Sequence, residues 1–343
     1  MTGQASPSSV NAPKYLVTGA AGFVGRHLIT HLASQNVRLR AMVRSAAQAA
    51  DLEPLVEDVV VADLTKPETL APAVDGVAGV YHIAALFRSE SANDSVFWDV
   101  NAHGVRNMLD AAIEAGVERF VHCSTNGVHS HIPNPPADET APFNPGDLYQ
   151  ETKLEGEKIA MQYFEEGRIH GVVIRPTMIW GPGDRRTLKL FRMIAKRRFF
   201  YVGTGEALNH WVDVRDLANA FQLAMDARHL NAEAFLIGGR EYIFIKELAQ
   251  KIADQLNVPA PWLKLPVWPI MKLAYVCELV CKPIGVEPPL FRRRVAYFLN
   301  DRAYDISKAE RMLGYKPSQD IAGEVNDIIA SYRKNGDLPS LVA

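Results

Sequence analysis

Short apolar runs alternate with amphipathic, helix-like stretches from Lys14 to about Ile179. The runs are rich in β-branched residues and nearly continuous in apolar character, which is typical of strands buried on both faces of a sheet. The predicted strands are Tyr15–Thr18, Arg38–Val43, Val59–Val61, Gly79–Ile83, Arg119–Cys123 and Gly171–Arg175. Predicted helices between them include Val24–Ser34, Val100–Ala115 and Tyr149–Phe164. This alternation predicts an α/β fold with a doubly wound parallel sheet.

The pattern changes after Gly181. It predicts a basic, aromatic helix over Leu188–Arg198, a loop over Gly203–Asn209, a sheet-covering helix over Val214–Asp226 and one more strand over Ala234–Ile237. From Tyr242 onward the chain is helical in pattern and interrupted by prolines. We therefore expect one domain from residues 14–180 and 210–240, and a smaller, mainly helical lobe from residues 181–209 and 241–335. The Ser-, Pro- and Ala-rich residues 1–13 are expected to form a disordered tail rather than an export signal.

Composition narrows the class of protein. The 343 residues are 48% apolar and 22% charged, with a formal net charge of −2, which is ordinary for a soluble globular protein. Such a balance gives no electrostatic reason to expect a nucleic-acid partner. The three cysteines, Cys123, Cys277 and Cys281, form no C-x-x-C pair and lack nearby metal-ligand patterns. We therefore expect neither disulfides nor a bound metal, and a cytoplasmic location.

One C-terminal segment, residues 270–282 between Pro269 and Pro283, is unusually apolar. On a helical wheel Lys272, Glu278 and Lys282 share one sector, and the widest uninterrupted arc is apolar. The segment is too short and too charged to span a bilayer. Four interpretations stay open: a buried helix, a lid over an apolar substrate, a contact within an expected homodimer, or a peripheral membrane contact.

The first predicted strand leads directly into a glycine-spaced turn, and a helix follows at once. Glycines permit a tight turn and let the backbone approach a pyrophosphate, while the helix N-terminus offers free N–H groups to the phosphates. This context predicts a Rossmann-type sheet that binds a dinucleotide. The residues predicted to contact the cofactor here are Gly19, Ala21, Gly22, Phe23, Val24 and Gly25.

The G-x-x-G-x-x-G spacing resembles the extended short-chain dehydrogenase/reductases of the NAD-dependent epimerase/dehydratase superfamily, and further motifs follow in that family's order over about residues 14–240. Asn101 matches the family's helix asparagine. His82 is open to two interpretations, a core histidine or a residue lining the cofactor. The other residues that the resemblance places at the cofactor are Asp63, Leu64, Ala84, Ala85, Pro176 and Thr177.

The pattern Y-x-x-x-K occurs three times, as Tyr149/Lys153, Tyr242/Lys246 and Tyr304/Lys308. The first pair begins a predicted helix, where four-residue spacing puts both side chains on one face. It also follows a strand that ends at Cys123, and ligands bind at the carboxyl ends of parallel strands. The other two pairs lie beyond the sheet-forming half and are interpreted as structural. Tyr149 and Lys153 are therefore the predicted catalytic pair.

These residue types suit hydride transfer to a ketone, which leaves an alkoxide that needs a proton. A phenol with the ordinary pKa of about 10 is a weak acid at neutral pH, and a nearby ammonium lowers that pKa. The resemblance implies that Lys153 also binds the nicotinamide ribose. A hydroxyl at Thr125, with Ser124 as the alternative, would hold the substrate oxygen beside Tyr149.

Cofactor preference is predicted from the end of the second strand. No Asp or Glu stands there to accept the ribose hydroxyls of NAD, and Val43 is followed by Arg44, a cation that suits a 2′-phosphate. The sequence therefore favours NADP. NAD stays open, because Arg44 could equally stack on adenine or face solvent.

The resemblance leaves several reactions open. Asn126 and Gly127 follow Thr125 where the family's sugar dehydratases carry Asp-Glu, which argues against dehydration. Asn209 stands where nucleotide-sugar epimerases hold the substrate pyrophosphate with an arginine, and an arginine fork is hard to replace. Cations that could compensate are Arg185, Arg186 and Arg192.

The C-terminal lobe, with Glu287-Pro288-Pro289 and Leu313–Pro317, resembles the 3β-hydroxysteroid dehydrogenase-like branch, which handles hydrophobic alcohols and ketones. We therefore expect an NAD(P)-dependent oxidoreductase that interconverts a ketone and a secondary alcohol on a steroid- or lipid-like small molecule. The alternatives are a nucleotide-sugar 4-epimerase or 4-ketoreductase, and a non-catalytic NADP(H) sensor on the same fold.

Overall fold

The computed structural model describes residues 12–87, 93–281, 295 and 297–339. In chain order the strands are β1 (Lys14–Thr18), β2 (Arg38–Val43), β3 (Asp58–Val61), β4 (Gly79–His82), β5 (Arg119–Cys123), β6 (His170–Pro176), β7 (Met178–Trp180), β8 (Tyr201–Val202), β9 (Leu208–Asp213), β10 (Glu233–Ile237), β11 (Tyr242–Phe244) and β12 (Lys264–Leu265). The α-helices are α1 (Phe23–Ala33), α2 (Ala71–Val74), α3 (Asp94–Trp98), α4 (Gly104–Glu114), α5 (Leu148–Glu165), α6 (Leu188–Ala195), α7 (Val214–Asp226), α8 (Ile245–Leu256), α9 (Val267–Cys281), α10 (Ser307–Leu313) and α11 (Ile321–Lys334).

Seven strands form one parallel sheet in the order β3-β2-β1-β4-β5-β6-β10. The predicted strands of this sheet are confirmed to within one residue at each end. The strand order reverses between β1 and β4, and the crevice at such a reversal is where open α/β sheets bind ligands. The predicted Rossmann-type, doubly wound fold is thus confirmed.

Helices cover both faces of this sheet because both faces carry apolar side chains. On one face, Leu28 and Ile29 of α1 pack with Phe221 of α7 against the sheet. On the other, Met108 of α4 and Phe164 of α5 do the same. The sheet is therefore buried on both faces.

The helix predicted over Val100–Ala115 begins earlier than expected. Helix α3 passes through a π-helical turn over Asp99–His103 before α4 starts. The turn presses against α5 at Gly156, where an added Cβ would lie 2.0 Å from the carbonyl oxygen of Asn101. The wide turn and the missing side chain together let α5 approach closely and fix its position on the sheet.

A second, three-stranded sheet joins residues of both predicted units, since β9 pairs with β7 in parallel and with β11 antiparallel. Two boundaries differ from prediction. The predicted loop Gly203–Asn209 is wrong at its end, because pairing with β11 draws Leu208 and Asn209 into β9. The predicted helix Leu188–Arg198 ends at Ala195, since Arg197 adopts the left-handed conformation, with φ 56°.

Helix α9 contains the apolar segment, although Lys282 lies outside the described residues. Along this helix Ala274 and Glu278 are the buried residues, whereas apolar side chains such as Val276 and Leu279 face outward, Leu279 being 62% exposed. The interpretation of this segment as an ordinary buried helix is therefore excluded. The charged sector of the helical wheel does not coincide with the outward face, because Glu278 of that sector is buried. In the described parts of the chain, no helix is long and apolar enough to cross a membrane.

Candidate active site

The turn after β1 has the geometry of a phosphate cradle. Gly19 has a φ of 67°, and a Cβ there would lie 2.9 Å from the backbone of Ala84 in the neighbouring loop. A Cβ at Gly25 would lie 2.2 Å from the carbonyl oxygen of Gly19, so the first turn of α1 packs directly on the glycine turn. No side chain caps α1 at Gly22, and the first N–H groups of a helix lack intrahelical acceptors. This end of α1 therefore suits a pyrophosphate.

The loop after β4 is fixed by the hydroxyl of Thr18 at the end of β1. Thr18 Oγ1 accepts hydrogen bonds from the backbone N–H groups of Ile83 and Ala84, each at 3.1 Å, and donates its own hydrogen to His82 Nδ1 at 3.2 Å. Ala84 thereby lies next to the glycine turn, in the loop where Ala84 and Ala85 are predicted to contact the cofactor. His82 itself is fully buried and stacks on His122, which identifies it as a core histidine.

The adenosine end of the predicted site lies at the ends of β2 and β3. Arg44, the first residue after β2, is exposed, and no ion pair engages it within the described chain. Asp63 follows β3 and accepts from the backbone and hydroxyl of Thr65, both at 2.9 Å. Leu64 is buried, and its carbonyl accepts from Asn107 of α4 at 2.8 Å.

Helix α5 brings the predicted catalytic pair to the carboxyl edge of the sheet. Asp147 caps this helix by accepting from the N–H of Gln150 at 3.0 Å. The Lys153 ammonium, 1% exposed, donates to the carbonyl of Cys123 at 2.6 Å. The Tyr149 ring meets Phe87, in the loop after β4, edge-on at 4.8 Å between centroids. The helix therefore connects the ends of β4 and β5.

The two candidate hydroxyls follow Cys123 directly. Thr125 Oγ1 accepts from the N–H of Gly127 at 3.0 Å, which leaves its own hydrogen free to point at a ligand. Ser124 is 3% exposed, and no group of the described chain bonds its hydroxyl. Thr177, the first residue after β6, has a second buried hydroxyl that lacks a hydrogen-bond partner in the described chain. These two unsatisfied hydroxyls follow the carboxyl ends of β5 and β6, and a bound cofactor could supply their hydrogen-bond partners.

Asn101 has a structural role. Its side chain exchanges hydrogen bonds with the backbone of Leu86 at 2.8 and 3.0 Å and donates to Thr152 Oγ1 at 3.1 Å. It therefore ties the loop after β4 to α5. Within the described residues, no group of His, Cys, Asp and Glu side chains could hold a metal ion.

The other two Y-x-x-x-K pairs have different surroundings. Lys246 pairs with Glu206 at 2.7 Å on the surface. Lys308 pairs with Glu233 at 2.7 Å, and buried Tyr304 donates to the carbonyl of Asn126 at 3.2 Å. Burial raises the pKa of Tyr304 to about 12, which makes this phenol a poorer acid than a free one. Both lysines are thus engaged with carboxylates rather than with a catalytic tyrosine.

Asn209, predicted to stand where a nucleotide-sugar epimerase has its phosphate-binding arginine, is fully buried and donates to the carbonyl of Ala207 at 3.4 Å. Each cation that could compensate is already paired with a carboxylate. Arg185 and Arg192 bond Asp337 at 3.3 and 2.9 Å. Arg186 bonds Asp184 at 2.9 Å and lies over the Phe23 ring, 5.2 Å from its centroid.

Sequence reasoning missed a buried network behind the lysine. Arg175 donates to Glu157 Oε1 from Nε at 3.0 Å and from Nη2 at 2.5 Å, and Arg175 Nη1 lies 3.2 Å from His129 Nε2. Glu157 follows Lys153 by one helical turn. That spacing was visible in the sequence, but the partner on β6 is supplied by the fold.

This fold and these groups define a nicotinamide-dependent enzyme of the Rossmann type. The family model described as "NAD dependent epimerase/dehydratase family" matches residues 15–238. A 3 beta-hydroxysteroid dehydrogenase/Delta 5-->4-isomerase of Mycobacterium tuberculosis is 31% identical over 322 residues, which cover 89% of this chain and 86% of that protein. The crystal structure of gox2253 superposes with a TM-score of 0.79 at 29% identity, covering 95% of this chain and 99% of the other.

The chain therefore belongs to the NAD-dependent epimerase/dehydratase family, as its motifs predicted, and is an NAD(P)-dependent oxidoreductase with steroid dehydrogenase-like relatives. A 3beta-hydroxysteroid-dehydrogenase/decarboxylase isoform 2 of Arabidopsis thaliana is 28% identical over 345 residues, which cover 91% of this chain. This chain spans 61% of that relative's length.

Proposed function

We propose that the protein interconverts a ketone and a secondary alcohol on a hydrophobic, steroid- or lipid-like substrate, with Tyr149 as the proton donor and acceptor. The observation that carries this proposal is the bond from Lys153 to the carbonyl of Cys123. This bond ties α5 to the end of β5, and Ser124 and Thr125 follow Cys123 directly in the chain. Both observations support a common role for Tyr149, Lys153 and one of these two hydroxyls at the carboxyl edge of the sheet.

A bound nicotinamide supplies or accepts the hydride at this edge. In the reductive direction Tyr149 gives its phenolic proton to the substrate oxygen, and the Lys153 ammonium stabilises the phenolate that remains. Thr125 holds the substrate oxygen beside the phenol by donating its free hydrogen, and Ser124 is the alternative for this role. In the oxidative direction the same groups act in reverse, with the Tyr149 phenolate as the base.

We propose NADP(H) as the preferred cofactor. Exposed Arg44 stands directly after β2 with no carboxylate partner in the described chain, so its charge is free for a 2′-phosphate. No acidic residue at that strand end repels the phosphate. NAD(H) is the alternative cofactor, and its preference would require that Arg44 make no contact with the cofactor.

The hydrophobic substrate is favoured by charge. A nucleotide sugar brings a pyrophosphate that needs cations. Asn209 supplies none, and the neighbouring arginines Arg185, Arg186 and Arg192 are paired with carboxylates. The mycobacterial relative is a 3 beta-hydroxysteroid dehydrogenase/Delta 5-->4-isomerase by name, which supports a hydrophobic substrate. A nucleotide-sugar 4-epimerase is the second candidate, because the family model includes epimerases.

NADPH consumption separates these candidates. With a 3-ketosteroid as the probe we expect steady oxidation of added NADPH, little affected by salt, because apolar contacts are not screened. With UDP-glucose we expect neither consumption nor saturable binding. Inversion of the sugar 4-hydroxyl without net NADPH consumption, weakened by salt, would instead establish the epimerase.

We also propose that the outward face of α9 contacts a membrane surface, from which a lipid-like substrate would come. The face combines Trp268 and Tyr275, 67% and 53% exposed, with Lys272, whose ammonium lies 5.1 Å from the Trp268 ring centroid. Aromatic rings and lysines are the side chains that suit a lipid interface with anionic headgroups. Vesicles containing phosphatidylserine should sediment the wild type and release it when Trp268→Ser and Leu279→Ser are combined. Loss of dimers in that variant, without any vesicle binding by the wild type, would assign the face to a homodimer.

A further inference from the structure

The buried Glu157–Arg175 pair, one helical turn from Lys153, has no part in the reaction as described above. We propose that Glu157 is a positioning residue that holds Lys153 in its ammonium form, and that the catalytic proton of Tyr149 depends on this carboxylate. The inference rests on the proposed function, because that function gives Tyr149 and Lys153 their roles.

Lys153 needs a negative partner because it is buried. Lys153 and Glu157 are each 1% exposed and lie four residues apart on α5, hence on one face. An ammonium without water loses its proton easily unless a counter-charge is close. Burial lowers the pKa of Lys153, and the two groups that oppose this are the Cys123 thiol and Glu157. Burial raises the pKa of Cys123 to about 11, so the thiol is uncharged at neutral pH and the counter-charge comes from Glu157.

The other groups that face this lysine are neutral. They are two imidazoles on the neighbouring strands, His82 on β4 and His122 on β5. Burial and then the charge of Lys153 lower the pKa of His82 to about 3. Burial and then Lys153 also lower the pKa of His122. Neither ring therefore carries a charge near neutral pH, and a neutral ring cannot replace the carboxylate.

Arg175 is the cation that bonds Glu157 directly. Its guanidinium donates twice to Glu157 Oε1 and lies 4% exposed behind α5. An arginine only donates, so His129 Nε2 must accept from Arg175, and the Nδ1–H of His129 donates to the Pro142 carbonyl at 3.3 Å. His129 is thus neutral, as its lowered pKa also indicates, with burial and then Arg175 as the causes. The charge of Arg175 is met by Glu157, whose Oε2 has no hydrogen-bond partner in the described chain.

Removal of the Glu157 carboxylate should change the pH at which Lys153 loses its proton in one direction only. In Glu157→Gln the charge of Arg175 stays and repels the Lys153 ammonium, so Lys153 releases its proton at a lower pH. Tyr149 then loses its cationic neighbour, and the pKa of its phenol rises. Alcohol oxidation requires the phenolate, so its acidic limb moves to higher pH. A purely structural role for Glu157 predicts lower stability with an unchanged pH profile.

The test is the pH dependence of kcat for oxidation of a 3β-hydroxysteroid with NADP⁺. For Glu157→Gln we expect the acidic limb to move upward by about one pH unit, with roughly a tenfold loss of kcat at pH 7. Glu155→Gln, two residues away on the same helix, is the matched control and should overlay the wild type. Glu157→Gln/Arg175→Gln removes both charges, so the repulsion by Arg175 is lost together with the carboxylate, and we expect an upward shift that is smaller than in Glu157→Gln. A limb that is unmoved or moves downward in both variants overturns the proposal.

A second readout needs no substrate. Lys153 is expected to bind the cofactor ribose, so NADP⁺ affinity should weaken with rising pH as Lys153 loses its proton, at lower pH in Glu157→Gln than in the wild type. If the wild type oxidises no alcohol while this shift is observed, the proposed function fails and the inference about Lys153 stands. If the wild type turns over but its profiles of kcat and affinity coincide with those of the variants, the inference alone fails.

Discussion

The carboxyl edge of the large sheet and the C-terminal lobe both contain a Y-x-x-x-K pair, and they use it differently. At the sheet edge Lys153 is buried and bonds only a backbone carbonyl, that of Cys123, in the described chain. In the lobe Lys308 forms an ion pair with Glu233, and burial raises the pKa of Tyr304 to about 12. We therefore propose that the same four-residue spacing serves chemistry at the sheet edge, whereas in the lobe it contributes to packing, because the fold surrounds the two pairs with different groups.

The largest effect expected from this contrast concerns the two tyrosines. Tyr149→Phe should lower kcat by about 10³, since the proton donor is lost, while cofactor affinity stays nearly unchanged. Tyr304→Phe removes an equal hydroxyl from the lobe and should cost stability rather than kcat, because its bond to Asn126 is structural. Steady-state kinetics and thermal melts of both variants provide the comparison. More than a tenth of wild-type kcat in Tyr149→Phe would contradict the assignment.

A smaller effect, on cofactor choice, is expected at the end of β2. Arg44→Asp replaces a cation suited to a 2′-phosphate with an acid suited to ribose hydroxyls. We expect the ratio of NADPH to NADH affinity to fall by roughly a hundredfold, in line with the loss of a charge-assisted hydrogen bond and the addition of repulsion. Titration of both cofactors against both proteins measures this ratio. Equal affinity of the wild type for NADPH and NADH would contradict the proposal that Arg44 binds the 2′-phosphate.

The third effect is on stability rather than activity, and it is expected in the lobe, where a buried carboxyl makes stability depend on pH. Trp180 Nε1 donates to Glu324 Oε2 at 2.6 Å, and burial raises the pKa of Glu324 to about 8 from an ordinary value of 4.5. Because the folded pKa is the higher one, this contribution to stability is complete below about pH 4.5 and is lost as the pH rises through about 8. Glu324→Gln keeps the acceptor for Trp180 and removes the titration.

We therefore expect Glu324→Gln to melt above the wild type at pH 9 and close to it at pH 5. Melts by circular dichroism across this range test the expectation. A constant difference between the two proteins at every pH would mean that Glu324 is ionised throughout.

The two regions also differ in how far the sequence predicts them. The glycine turn from Gly19 to Gly25 is recognisable because turn, helix start and phosphate site are one local pattern. Buried parallel strands are similarly local, and each was predicted to within one residue. By contrast, Leu208 and Asn209 are strand residues only because β11 pairs with them. The outward face of α9 depends on its neighbours in the same way, since a helical wheel does not show which side packs on the lobe.

The Glu157–Arg175–His129 network is only partly predictable from the sequence. Its members come from α5, β6 and the segment after β5, so no spacing along the chain reveals the contacts. What the sequence offered was a carboxylate one turn from Lys153. The spacing matters because Lys153 and Glu157 are both buried, since water would screen the same two charges on an exposed helix.

The central claim is that Tyr149 and its neighbours protonate a hydrophobic ketone as it receives a hydride. It is tested most directly by following deuterium from NADPH labelled at the nicotinamide C4 into a 3-ketosteroid. The account predicts that the wild type forms the alcohol with one deuterium on the carbinol carbon, in one configuration, and that Tyr149→Phe binds NADPH but forms almost none. Deuterium transfer by Tyr149→Phe at the wild-type rate, or no labelled alcohol from the wild type with any hydrophobic ketone, would contradict it.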